Sequence, residues 1–183
     1  MIEKKTIWEA AARPALLLGL VPVAYFGISY LTGKIPAQPG LGAVAVNLIG
    51  TILMLCKIGL CIYLLLNAMK SFAALDSECT RGDLFRYGMA VSVLSSLIFS
   101  AFYLADLMFI QPDMLNEVVD TLRENPLMDS NSLDMIESMM PKMPSIMFFS
   151  QLIYGILWGL VLSAIFSHSI VSDNPFDTTS DSE

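Results

Sequence analysis

The chain has 183 residues, 55% of them hydrophobic and only 15% charged, with a net charge of −7. Soluble domains carry about 25% charged residues, so this composition excludes an ordinary soluble globule. No basic patch points to nucleic acid, and the charges sit between long apolar runs, which reads as one all-α integral membrane bundle without a separate soluble domain.

Four spans are expected in chain order. A short N-terminus, residues 1–12, precedes a first span over 13–32 (RPALLLGLVPVAYFGISYLT), where Pro22 predicts a kink. MIEKK has the basic character of a signal-peptide start, but the apolar stretch is too long and no small-residue cleavage site follows before KIPAQPG. The second span covers 42–69 and holds one charge, Lys57. About 20 apolar residues suffice to cross a bilayer. The third covers 85–110, entered through an RGD string in which Gly82 breaks the chain and Asp83 caps the next helix.

Residues 111–144 form the longest connection, with seven acidic and two basic residues. Met114, Leu115, Val118, Val119 and Leu122 share one helical face. After Pro126, Leu133, Ile136 and Met140 share another. The pattern predicts two short helices forming a hairpin on the outer face of the bundle. The fourth span covers 145–171, and the acidic tail 172–183 is expected to be disordered.

Orientation follows from basic residues near the span ends. Lys4, Lys5, Arg13, Lys70, Arg81 and Arg86 fall on one side, and Lys34, Arg123 and Lys142 on the other. Both termini are therefore expected in the cytoplasm and residues 111–144 outside.

Within the spans, polar and small residues gather into stripes. Asn47, Gly50, Thr51, Met54, Lys57 and Cys61 fall within an arc of about 120°. Gly88, Ser92, Ser95, Ser96, Phe99, Tyr103 and Asp106 do the same on the third span. Lipid cannot satisfy such groups, so the two stripes are expected to face each other or a common interior. Counting depth from Lys70 and Arg86 puts Tyr25, Ser96, Ser100 and Tyr154 (or Trp158) level with Lys57. Asp106 comes out about 10 Å higher at 1.5 Å per residue, beside Asn47, Lys34 and Gln151, so water is needed to link it to Lys57. A lysine at this depth is either a hydrogen-bonded interhelical group or part of an ion, proton or lipid-headgroup site. Its insertion cost of about 2.5–3.5 kcal/mol makes the second reading competitive.

Gln151, Gly155, Gly159, Ser163 and Ser167 recur at four-residue steps on the fourth span. This small-residue stripe lets helices approach closely, and packing inside the bundle is preferred over a homodimer seam. Eight of the twelve methionines lie between Met108 and Met147. With no histidine or cysteine in that loop, they read as adaptable packing rather than a copper site. Cys56 and Cys61 point in different directions on one helix, and His168 is the only histidine. No catalytic pair, metal motif, phosphate loop or cofactor site is expected.

The stretches KKTIWEAAARPALLLGLVPVAYFGISYL and DSECTRGDLFRYGMAVSVLSSLIFSAFYL resemble a bacterial family of uncharacterised four-span membrane proteins, number 4199 among the domains of unknown function. The resemblance implies an inner-membrane protein with no assigned activity, beside lipid-linked sugar enzymes in some cases, and it supplies no functional residues. The first expectation is thus a non-enzymatic accessory or scaffold subunit that meets the lipid bilayer and a membrane protein partner, with a homodimer as the other possibility. The rival expectation is a small transporter, channel or lipid-carrier component that uses the interior around Lys57.

Overall fold

The computed structural model describes residues 4–33, 41–75, 79–124 and 129–172. Lys34 and the tail beyond Ser172 lie outside the described residues, and with them the expectations placed there. Among the described residues, four helices are long and apolar enough to cross a membrane. They are α1 (Lys4–Gly33), α2 (Leu41–Leu75), α3 (Arg81–Ala105) and α6 (Met143–Ser172), making an all-helical, multi-pass membrane fold. Between α3 and α6 lie α4 (Met114–Arg123) and α5 (Ser130–Met139). The long connection is therefore helical, as its apolar spacing predicts.

Several boundaries differ from the sequence reading. α1 starts at Lys4 rather than near Arg13 and runs through Pro14 and Pro22. Its first turns pack against other helices, since Ile7, Ala11 and Ala15 are all buried. α3 is capped by Thr80 rather than Asp83. The Thr80 hydroxyl accepts from the Asp83 amide at 3.2 Å and donates to the Asp83 carboxylate at 2.7 Å. Asp83 stands at the third helical position, where it takes both of these bonds with the Thr80 side chain, and Gly82 sits inside the first turn. The apolar run around α6 reaches back to Asn131, but a tight turn at Met140–Lys142, which holds Pro141, divides it. α6 alone, with 30 residues, spans about 45 Å.

α3 is the central helix, with α1 and α6 packed along it. The apolar core lies toward the end that carries Lys70, Arg81 and Arg86, called here the basic end. It is built from Ala11, Ala15, Leu65, Met69, Leu84 and Val91, among others. The Phe72 and Tyr87 rings stack there with centroids 4.0 Å apart, joining α2 to α3. Away from that end α2 leaves the bundle, and none of its side chains from Val44 to Leu64 is buried.

The α3–α6 contact is a ladder of glycine against serine. Gly88 meets Ser163, Ser92 meets Gly159, and Ser96 meets Gly155. Both helices step by four residues in opposite directions, as two antiparallel helices must when one face of each makes the contact. A Cβ on Gly88 would sit 2.5 Å from the Ser163 Oγ, and Cβ atoms on Gly155 and Gly159 would collide with Ser96 and Ser92. The small residues of the α3 stripe thus pack on α6 rather than directly on the α2 stripe, while Ser92, Ser95, Ser96 and Phe99 of the first and Met54, Lys57 and Cys61 of the second line one common cleft, the other form of the expectation. Within this chain the stripe on α6 is used for packing. Hydrocarbon gives helices no hydrophobic reason to associate, so close backbone approach supplies the attraction.

Candidate functional site

α2 separates from the bundle while α1, α3 and α6 stay together, and this leaves a cleft of about 340 Å³. Gly19 and Pro22 line it from α1, Lys57 from α2, Ser96 from α3, and Gln151 and Tyr154 from α6. The apolar spans of α1, α2 and α3 run Ile7–Thr32, Val44–Leu75 and Arg81–Ile110. Gly19, Lys57 and Ser96 each lie within about three residues of their span's midpoint, a displacement of at most about 5 Å. The cleft is therefore at mid-depth. On α2, Asn47, Met54, Ile58 and Leu65 share a face about 40° wide at 100° per residue. Leu65 is buried in the core, while Met54 and Ile58 line the cleft. Asn47 continues the same face upward and is exposed because the helices have parted.

Lys57 is half-buried, with its Nζ 4.6 Å from the centroid of the Tyr25 ring. The ring face attracts the cation through its quadrupole. Tyr25 is one of the groups counted level with Lys57, and it presents its ring rather than its hydroxyl. Ser96 and Tyr154 line the cleft with Lys57, whereas Ser100 is fully buried outside its lining. Among the described residues, no hydrogen bond or ion pair reaches the Lys57 ammonium, and no acidic side chain lines the cleft. Of the serines there, Ser92 donates to the Gly88 carbonyl at 2.9 Å and Ser95 to the Ser92 carbonyl at 3.1 Å.

Asp106 belongs elsewhere. It opens a π-helical turn, Asp106–Ile110, and is 1% exposed. The Gln111 amide nitrogen approaches its two carboxylate oxygens at 3.2 and 3.4 Å. The Gln111 backbone N–H also reaches the Asp106 carbonyl at 2.8 Å. Pro112 has no N–H with which to continue a helix, and five-residue spacing brings Gln111 back over Asp106. The sequence reading missed this pair, although an acid five residues before a glutamine–proline step was its signal. Gln151, counted level with Asp106, lines the Lys57 cleft instead.

Outside the spans, α4 and α5 are joined by charge. Arg123 donates to Glu137 at 2.6 and 3.1 Å and to Asp120 at 3.1 Å. The Glu137 carboxylate pushes the guanidinium further above its already high range. Among the described residues, no group of three or more metal-ligating side chains exists.

Residues 14–168 match a family model described as a protein of unknown function (DUF4199). No curated protein and no solved structure matches the chain.

Proposed function

The chain belongs to the DUF4199 family, and on that footing we propose that it is a non-enzymatic membrane protein that holds a ligand inside the bilayer, in the cleft around Lys57. One observation carries this reading: a lysine at mid-depth faces a cleft in which, among the described residues, no acidic side chain balances it. A charge there is expensive unless something pairs with it, and the room beside it can take that partner. The place of action is the inner membrane, with both termini in the cytoplasm, as the basic residues at the span ends favour.

An accessory or scaffold role is the second reading. It is favoured by the first half of α2, where Asn47 is exposed and nothing from Val44 to Leu64 is buried. A helix of a partner protein in the same gap would cover that face.

The test is mass spectrometry of what remains bound after purification in mild detergent. A small amphipath retained by the wild type and lost from Lys57→Met supports the ligand reading. Identical extracts from both proteins overturn it. A crosslinker at Asn47 that captures a protein instead favours the accessory reading.

A further inference from the structure

Charge, size and access together narrow the occupant of the cleft. Among the described residues, Lys57 is the only charged one in the lining. Its ammonium stays available, because the Tyr25 ring holds it by a face that carries no counter-charge. The hydroxyls of Ser92 and Ser95 are turned to carbonyls of their own helix, which leaves Ser96 and Gln151, with Tyr154 and Trp158 at the open edge, as neutral donors. One cation with neutral donors suits a singly charged acid. A phosphate group would call for a second cation or the fork of an arginine, and neither lines this cleft.

The volume of about 340 Å³ equals about eleven times the ~30 Å³ share of one water. That admits an acid group and a length of acyl chain, but not a two-chain lipid. Access comes from the side. Met54 on α2 and Tyr154 and Trp158 on α6 line the cleft, and they are 49%, 62% and 51% exposed. They therefore form its open edge, and the rest of a chain can leave between them into lipid.

We infer that the occupant is a single-chain amphipath ending in one carboxylate, its acid group at Lys57 and its chain passing out between α2 and α6. This rests on the reading of the Lys57 cleft as a binding site. The carboxylate takes the ammonium as its ion partner, with Ser96 and Gln151 as further donors, and the apolar walls take the methylenes.

Trp158 offers a native probe, since the chain has only two tryptophans and Trp8 is not in this cleft. In a Trp8→Phe background, the detergent-solubilised protein is titrated with three quenchers at a pH where the acid is ionised. They are stearic acid brominated in mid-chain, its methyl ester, and a similarly brominated lysophosphatidic acid. The expected result is saturable quenching by the acid at a concentration about tenfold or more below the ester. Lys57→Met should erase that difference and Lys57→Arg should keep it, with both variants checked for an unchanged helical spectrum. Saturable but superimposed acid and ester curves would overturn the carboxylate while leaving the cleft as a binding site. Tighter saturation by the phosphate probe would overturn it in favour of a phosphate ligand. Non-saturable quenching by all three would remove the binding site and the proposed function together.

Discussion

Ser96 and Gly155 stand so close across the α3–α6 contact that a single methyl at position 155 would run into the serine side chain. The relation repeats at Ser92–Gly159 and, with the roles exchanged, at Gly88–Ser163. Because the glycine lies on α6 in two of these pairs and on α3 in the third, the seam depends on pairs rather than on either stripe alone. Gly159→Leu should therefore destabilise by about 1–3 kcal/mol, the usual range for overpacking. The exchange Ser92→Gly with Gly159→Ser should recover most of the loss caused by Gly159→Ser alone. A double-mutant cycle of thermal stability in detergent measures the coupling. Strictly additive effects would show that the two residues do not share a contact.

Much of the fold was legible because a membrane crossing needs only length and apolarity, and α1, α2, α3 and α6 have both. Partner choice was not legible. Four-residue spacing marks a close-packing face on α3 and on α6, but α2 carries a polar stripe of its own, and spacing does not say which stripes meet. Depth counting, which needs only the rise per residue, groups Lys57 with Ser96 and Tyr154, and these line one cleft. It could not say that Tyr25 presents its ring rather than its oxygen, since that depends on how α1 and α2 turn toward each other. α1 reaches back to Lys4, ahead of the expected span, because Ile7 and Ala11 are spaced to pack although Lys4 to Ala12 is too polar to read as a span.

Arg123 is expected to close the α4–α5 hairpin, since it bonds Glu137 fourteen residues away as well as its neighbour Asp120. Being exposed, the clasp should weaken with salt. Spin labels on Thr121 and Ser138 should report a broader distance distribution in Arg123→Ala, or in high salt, than in the wild type. An unchanged distribution in both would mean that apolar contacts alone hold the hairpin.

At the start of α5, Ser132 draws the Asp129 carboxylate below the usual aspartate range, chiefly through its hydroxyl, although Asp129 forms no regular side-chain cap to the helix. A depressed folded value means that the stabilisation is complete above the unfolded aspartate pKa and is lost as pH falls through the folded one. Hydrogen exchange of the first α5 amides should thus stay slow as pH is lowered into the ordinary aspartate range and speed up only below it, once the intrinsic pH dependence of exchange is removed. Ser132→Ala should move that transition upward. An unmoved transition would discount the hydroxyl.

Membrane orientation can be read with reporters fused after Glu124 and at the C-terminus, which α6 separates. The basic residues at the span ends favour a cytoplasmic C-terminus and an outer Glu124, so a reporter active only in the cytoplasm is expected to work at the C-terminus alone. Activity at Glu124 alone would invert the whole protein. Activity at both would mean that α6 does not cross.

The contact between Lys57 and Tyr25 separates the ring from its hydroxyl. If the ring face holds the ammonium 4.6 Å from its centroid, Tyr25→Phe should leave both stability and ligand retention close to wild type. Tyr25→Leu removes the quadrupole, and should cost about 0.5–2 kcal/mol, the range between exposed and desolvated cation–π pairs. It should also loosen the lysine, and with it any acid bound there. Lys57→Met acts differently. It removes a charge that has no ionic partner among the described residues, so stability should hold or rise, because an apolar side chain of similar length has no desolvation cost. Ligand retention should nevertheless fall. Thermal melting and lipid extraction on the same four proteins check both halves of the argument. A loss of stability in Tyr25→Phe equal to that in Tyr25→Leu would show that the phenol oxygen is what holds Lys57. A strongly destabilised Lys57→Met would make the lysine a structural residue, and its cleft a packing defect rather than a binding site.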